Sequence, residues 1–160
     1  AFVQGMGAGL EIPVVPVSTL KAMAQQVLDT HADRTVLVML DAKMKEVYWG
    51  VYRLEDKEVV TVLPEQVTKI DEIPNFAGIV GLANIIGAGD GWNVTTNWVE
   101  ALKPEFIVKN VFPRAGEIAL LSIDDFENGM ALDADQVSPI YLRNNIALTI
   151  EEQEALKKES

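Results

Sequence analysis

Cysteine is absent from this chain, histidine occurs once, and basic residues are outnumbered by acidic ones. Each scarcity excludes a chemistry. Without cysteine there is no disulfide, no thiolate ligand for a metal and no cysteine nucleophile. A zinc-protease helix needs two histidines, and no G-x-S-x-G serine accompanies His31 to build a hydrolase triad. A zinc site around His31 would need three oxygen ligands, against that metal's preference for nitrogen and sulfur, so His31 reads as a surface cap residue. The formal net charge of -11, from 13 Lys and Arg against 24 Asp and Glu, opposes a surface that clamps phosphates. Lys43, Lys45 and Arg53 form the one candidate basic patch, and Glu46 and Glu55 interrupt it. The sequence also has no apolar run of about 18 residues, no basic leader with an apolar core and no lipidation pattern. The expectation is a cytoplasmic protein with no membrane partner.

Apolar residues, by contrast, make up 49% of the 160 positions, enough for a folded core. The opening AFVQGMGAGLEIPVVPV has no initiator methionine, and Phe2, Val3, Met6 and Leu10 already fall at helical spacing. This predicts that residues 1–10 are the end of a helix from a missing N-terminal lobe, residues 11–150 a C-terminal α/β lobe and residues 151–160 a charged tail. Gly5 and Gly9 share one helix face, and glycine costs about 1 kcal/mol in a helix interior. A close helix pairing, within the fold or between subunits, would offset that cost. Phe2, Gly5, Met6 and Gly9 are therefore the candidate interface residues, with a C-cap role as the alternative for Gly9.

Pro13 and Pro16 confine Ile12 to Val17 to an edge or partly paired strand. Ser18 then caps a helix with a stripe of Leu20, Met23, Ala24, Val27 and Leu28. Val36 to Leu40 reads as a strand covered on both faces, followed by a polar turn beginning at Asp41. Glu46 to Arg53 alternates, with Val47, Trp49 and Val51 on one side and Tyr48 and Tyr52 on the other. Glu58 to Leu63 returns as its hairpin partner, and Pro64 is placed at the first turn of a short helix, PEQVTKI. Ala83 to Ile86 is a buried strand leading into the turn GAGDGW. A last long helix runs from Pro113 to about Asn128, with Ala115, Ile118, Ala119, Ser122 and Phe126 on one face and Gly129 as its stop. Asp124, Asp125 and Glu127 near its end read as a solvated face.

Two places could carry chemistry. Gly87, Gly89, Asp90 and Gly91 follow a strand and form a weak phosphate-binding candidate, but Trp92 stands where a dinucleotide fingerprint wants spacing toward a third glycine. The favoured reading is a tight turn that folds Trp92 and Trp98 back on the domain. Asp41 and Asp90 each follow a buried strand, so a carboxylate pair is conceivable. Asp41 could equally cluster with Lys43 or Lys45, or accept backbone N–H groups in a turn. Nothing assembles a complete catalytic set, and no metal ligands are assigned.

Taken in order, VQGMGAGLEIP at the start, PVSTL at 16–20, DAKMKEVYWGVY at 41–52, GAGDGW at 87–92, the helix after Pro113 and PIYLRN at 139–144 resemble the C-terminal two thirds of the bacterial TsaB (YeaZ) family. The resemblance implies a lobe of the actin-like, sugar-kinase-like (RNase H-like) ATPase superfamily, an α/β fold with a mixed sheet flanked by helices. It implies a non-catalytic scaffold or activator in the making of threonylcarbamoyladenosine in tRNA. The implied partners are a second copy in a homodimer, the catalytic paralogue TsaD and the small ATPase TsaE, with tRNA reached only through the complex. The complex would use ATP and a divalent metal, and this chain no cofactor. Ser18, Asp41, Glu46, Tyr48, Tyr141, Arg143 and Asn144 fall in the matching segments, and are expected to support the fold. The chain departs from the family in lacking its aspartate-bearing first strand and GPGSFTG-like segment, and it has none of the paired metal-binding histidines of the catalytic relative. Two other readings are a nucleotide-binding kinase or ATPase of the same superfamily and a glycoprotein endopeptidase; the residue inventory gives the second no chemical support.

Overall fold

The computed structural model describes residues 2–72 and 84–143. In chain order the elements are α1 (Phe2–Leu10), α2 (Thr19–Leu28), β1 (Thr35–Lys43), β2 (Glu46–Glu55), β3 (Glu58–Lys69), β4 (Ile85–Ala88), a 3-10 turn (Asp90–Asn93), α3 (Thr96–Leu102), β5 (Ile107–Val108) and α4 (Ala115–Glu127). Among the described residues the strands form one mixed sheet in the order β3-β2-β1-β4-β5. β1, β2 and β3 pair antiparallel, and β4 joins β1 and β5 in parallel.

Side chains alternate across a pleated strand, and the sheet sorts its apolar residues accordingly. Val36, Val38, Tyr52, Ile86 and Ala88 meet the α2 stripe of Leu20, Met23, Ala24, Val27 and Leu28 on one face. Leu37, Met39, Val47, Trp49 and Val51 meet Trp92 and Trp98 on the other. Both faces of the aromatic-rich strand are thus covered by the fold. The Ser18 hydroxyl accepts a hydrogen bond from Lys21 N at 3.1 Å, capping α2 as the sequence predicts.

The structure corrects several boundaries. β1 continues through Asp41 to Lys43, and the reversal is made by Met44 and Lys45, both with left-handed φ (53° and 59°). Two such residues are what a tight hairpin with the right-handed strand twist requires. The predicted PEQVTKI helix does not form, because Pro64 lies inside β3. Trp49 pairs with Gln66 and Val51 with Leu63, so Pro64 and Glu65 together oppose Gly50 in a bulge. An edge strand at a bulge is where a sheet tolerates proline. Ile12 to Val17 contributes only a bridge, Val14 to Leu132, rather than a full strand. α1 runs one residue past Gly9 and stops at Glu11, whose φ is 53°; Gly9 is not its cap.

Helix α4 ends at the predicted place, with Gly129 at φ 74°, but presents a different face. Leu121 is its buried residue, with Glu117 and Asp125 partly covered one turn to either side. Asp125 reaches Lys21 of α2 at 3.6 Å, which removes it from the predicted solvated acidic face. Ile118 and Phe126, expected inside, are exposed together with Leu120 and Ile123. Helix α3 was not foreseen at all. Among the described residues no helix is long and apolar enough to cross a membrane.

Candidate functional site

The hairpin between β1 and β2 gathers most of the polar residues singled out in the sequence. Asp41 accepts from Lys43 N at 2.8 Å and from Lys43 Nζ at 2.6 Å, while its own N–H donates to Asp90 Oδ1 at 3.0 Å. The Lys43 side chain first, then its backbone N–H, holds the Asp41 carboxyl below the ordinary aspartate value. Both carboxylates of the conceivable pair are therefore committed to the turn. Asp41 is a turn aspartate, and it ties the hairpin to the residues after β4.

Arg143 closes this cluster from the far end of the chain. Its Nη2 pairs with Glu46 at 2.5 Å and donates to Ala42 O at 2.9 Å. Its guanidinium also lies 6.0 Å from the Tyr48 ring centre. An arginine offers several donors in a fixed fork and a flat face for an aromatic ring, and here it uses both. The segments 41–48 and 139–143, about a hundred residues apart in sequence, thus meet at one side chain. Tyr141 stays outside the cluster and is exposed. Asn144 lies outside the described residues.

Sequence reasoning missed Glu65, because it placed that residue in a helix. The bulge at Pro64 turns Glu65 toward α2, where it accepts from the Tyr52 hydroxyl at 2.7 Å and from the Ser18 hydroxyl. Burial first, then the Glu65 charge, pushes the Tyr52 phenol well above its ordinary value of 10.0. The native state keeps this proton at a pH where the unfolded chain has released it. The Tyr52 contribution to stability is therefore constant below about pH 10 and falls above it by about 1.4 kcal/mol per pH unit. Urea melts across that range should show the Tyr52→Phe chain losing less stability per pH unit than the parent; equal slopes would refute the assignment.

The glycine turn is filled by the protein itself. A Cβ on Gly87 would lie 2.7 Å from the Trp92 ring, and one on Gly91 would lie 2.5 Å from Met39 Cγ. Gly89 has φ +97°, and a Cβ there would run into the Met39 carbonyl oxygen. Trp92 Nε1 donates to Leu37 O at 3.2 Å, and Trp98 is fully buried. Gly87 belongs to β4 rather than to the turn. The cavity beside Gly89, Asp90, Asn93 and Lys109 holds about 80 Å³, against roughly 300 Å³ or more for a small-molecule pocket.

Metal chemistry finds no footing either. His31 turns Nδ1 toward Val27 O at 3.1 Å and Thr30 Oγ1 at 2.8 Å, beyond the end of α2, and its ring leans on Phe106. Among the described residues no cluster of three or more His, Cys, Asp or Glu could hold an ion. The described residues do not fit a bound metal.

On α1 the predicted interface residues Phe2, Gly5, Met6 and Gly9 all lie exposed. A Cβ on Gly5 or Gly9 would stand in open space. The glycine packed tightly inside the fold is Gly7, 2.7 Å from the Val14 side chain by the same measure.

The mixed sheet with helices on both sides and the polar hairpin define a lobe of the actin-like and sugar-kinase-like class. Comparison with known proteins agrees. The chain matches YeaZ from Pseudomonas aeruginosa with a TM-score of 0.73 at 30% identity, covering 88% of this chain and 65% of that one. A second Pseudomonas aeruginosa structure, described as similar to peptidase YEAZ, gives a TM-score of 0.75 at 31% identity, covering 89% and 64%. The family model "TsaD: tRNA N6-adenosine threonylcarbamoyltransferase" matches residues 1–151, and the chain belongs to that family. Within it, the chain is homologous to the TsaB (YeaZ) proteins. It is 28% identical to the Escherichia coli K12 tRNA threonylcarbamoyladenosine biosynthesis protein TsaB over 154 residues, covering 90% of this chain and 63% of the relative. The Haemophilus influenzae TsaB is also 28% identical, with 89% and 62% covered. The chain thus spans a little under two thirds of the length of these relatives.

Proposed function

We propose that this chain is part of a non-catalytic scaffold or activator subunit in the making of threonylcarbamoyladenosine in tRNA. The homology to TsaB carries the reading, and the side chains support it. The single histidine is spent on a helix end, Asp41 and Asp90 on a turn, and the three glycines on tryptophan and methionine packing. The family model is described as a transferase; in this reading His31, Asp41, Asp90 and the three glycines serve the fold rather than the transfer. In this reading a catalytic paralogue, TsaD, supplies the reaction with ATP and a divalent metal, and TsaE is a further partner. tRNA is met through the complex, in the cytoplasm.

The exposed face of α1 is the assembly surface in this reading, in a homodimer and against the paralogue. Phe2 and Met6 give it apolar area, and Gly5 and Gly9 let a second helix backbone approach closely. In this reading the described part of the chain forms one lobe of that subunit. Ser18, Asp41, Glu46, Tyr48 and Arg143 act as supports of that lobe.

The test is reconstitution of tRNA modification with the catalytic subunit and the protein at the full length of the family. Modified nucleoside should fall to background when this protein is omitted; full activity without it would sink the proposal. Met6→Asp should abolish co-elution with the partner while leaving the thermal midpoint within about 2 °C, since an exposed substitution changes stability by about 0.5 kcal/mol or less. Unchanged co-elution would remove α1 from the interface.

A further inference from the structure

Met44 stands at the tip of the β1–β2 hairpin and is 71% exposed, more than Met130 or Met6, while Met23 and Met39 are fully buried. Its thioether is also the group against which Arg143 rests: Nη1 donates to Sδ at 3.7 Å. A thioether is a weak acceptor. The neighbouring Nε–H of Arg143 is buried and has no acceptor among the described residues. The guanidinium is already tied through Nη2 to Glu46, Ala42 O and Lys43 O, and its Nη1 is turned toward a poor acceptor on an accessible sulfur.

We propose that Met44 is a site of peroxide modification whose sulfoxide fastens Arg143 to the hairpin. In the reaction the sulfur lone pair attacks one oxygen of a hydroperoxide. The O–O bond breaks, an S–O bond forms, and the displaced oxygen leaves as water or alcohol. Sulfur is oxidised by two electrons and the peroxide is reduced by two. The new oxygen is a strong acceptor, and Arg143 Nη1 is the donor already beside the sulfur. A charge-assisted hydrogen bond replaces a weak contact. Sulfoxidation usually harms a protein by placing a polar group in an apolar setting. Met44 is in solvent and beside a cation, so here it tightens the tie between the 139–143 segment and the hairpin.

The experiment compares the parent chain with Met44→Leu, each before and after mild hydrogen peroxide, with peptide mapping to score each methionine. Met6 and Met130 oxidise in both chains, so their effects cancel in the comparison. With Met44 converted, the parent's thermal midpoint should rise relative to the treated Met44→Leu chain by about 2–4 °C, the shift for about 1 kcal/mol in a domain of this size. Methionine sulfoxide reductase should return it. An equal or lower relative midpoint, or a Met44 left unoxidised while Met130 is converted, would overturn the proposal.

Discussion

Gly89→Ala should be among the most damaging single-atom-scale changes in this chain, lowering stability by about 2–6 kcal/mol. Two costs combine. Its φ of +97° is a conformation that L side chains rarely adopt, and holding one there costs about 1–3 kcal/mol. The added methyl would also run into the Met39 carbonyl oxygen, a backbone atom, and lie 3.2 Å from the end of the Met23 side chain, and overpacking of this kind costs about another 1–3 kcal/mol. Urea denaturation followed by circular dichroism measures the effect. Gly5→Ala is the matched control, because its Cβ would stand in open space on a helix, and it should raise stability by about 0.5–1 kcal/mol. A Gly89→Ala chain as stable as the parent would mean that the turn is not packed as described, and would reopen the phosphate-site reading.

Trp98→Ala should cost about 3–5 kcal/mol, the range for emptying an aromatic site in a packed core. Trp98 is fully buried and meets Trp49 edge-on, with ring centres 6.0 Å apart and planes at 72°. Its Nε1 donates to Ile70 O at 3.2 Å, and Trp49 Nε1 donates to Thr68 Oγ1 at 2.9 Å. The pair therefore clamps α3 and the end of β3 onto one face of the sheet. Trp98→Phe keeps a six-membered ring in the site while losing the hydrogen bond to Ile70 O and part of the buried volume, so it should cost less than the alanine change. If the two substitutions cost the same, the burial of the ring is not what stabilises this face.

Where an element's pattern is set by its own residues, the sequence made it legible. Alternation at Val47, Trp49 and Val51 against Tyr48 and Tyr52 marks two apolar faces, which the fold covers rather than leaving one as a contact surface, and Ser18 before an apolar stripe predicts the capped helix that the structure has. Tertiary contacts defeated the local rules elsewhere. Proline at the start of a polar run reads as a helix start, yet bulged pairing with β2 drew Pro64 into a strand. The face of α4 was assigned by apolar residues, but docking on α2 selected the side carrying Leu121 and Asp125. Gly5 and Gly9 drew attention by their spacing, whereas the close approach within the fold belongs to Gly7, which only the position of Val14 explains. The hairpin cluster was legible in part. Asp41, Glu46 and Arg143 were picked from matching segments, but their meeting joins residues about a hundred positions apart. Glu65 had no local mark at all, since its role depends on the bulge by which β3 pairs with β2.

The bulge at Pro64 also bears on how copies of this chain can meet. Among the described residues β3 is the longest strand and lies at one end of the strand order, a position that ordinarily offers a row of backbone groups to a passing strand. Proline has no N–H to give to a ladder, and the two-against-one pairing interrupts the regular register there. The edge is thereby less suited to zipping onto a neighbouring strand. Association is left to side chains, and the helical surfaces become the sites where specificity has to be set.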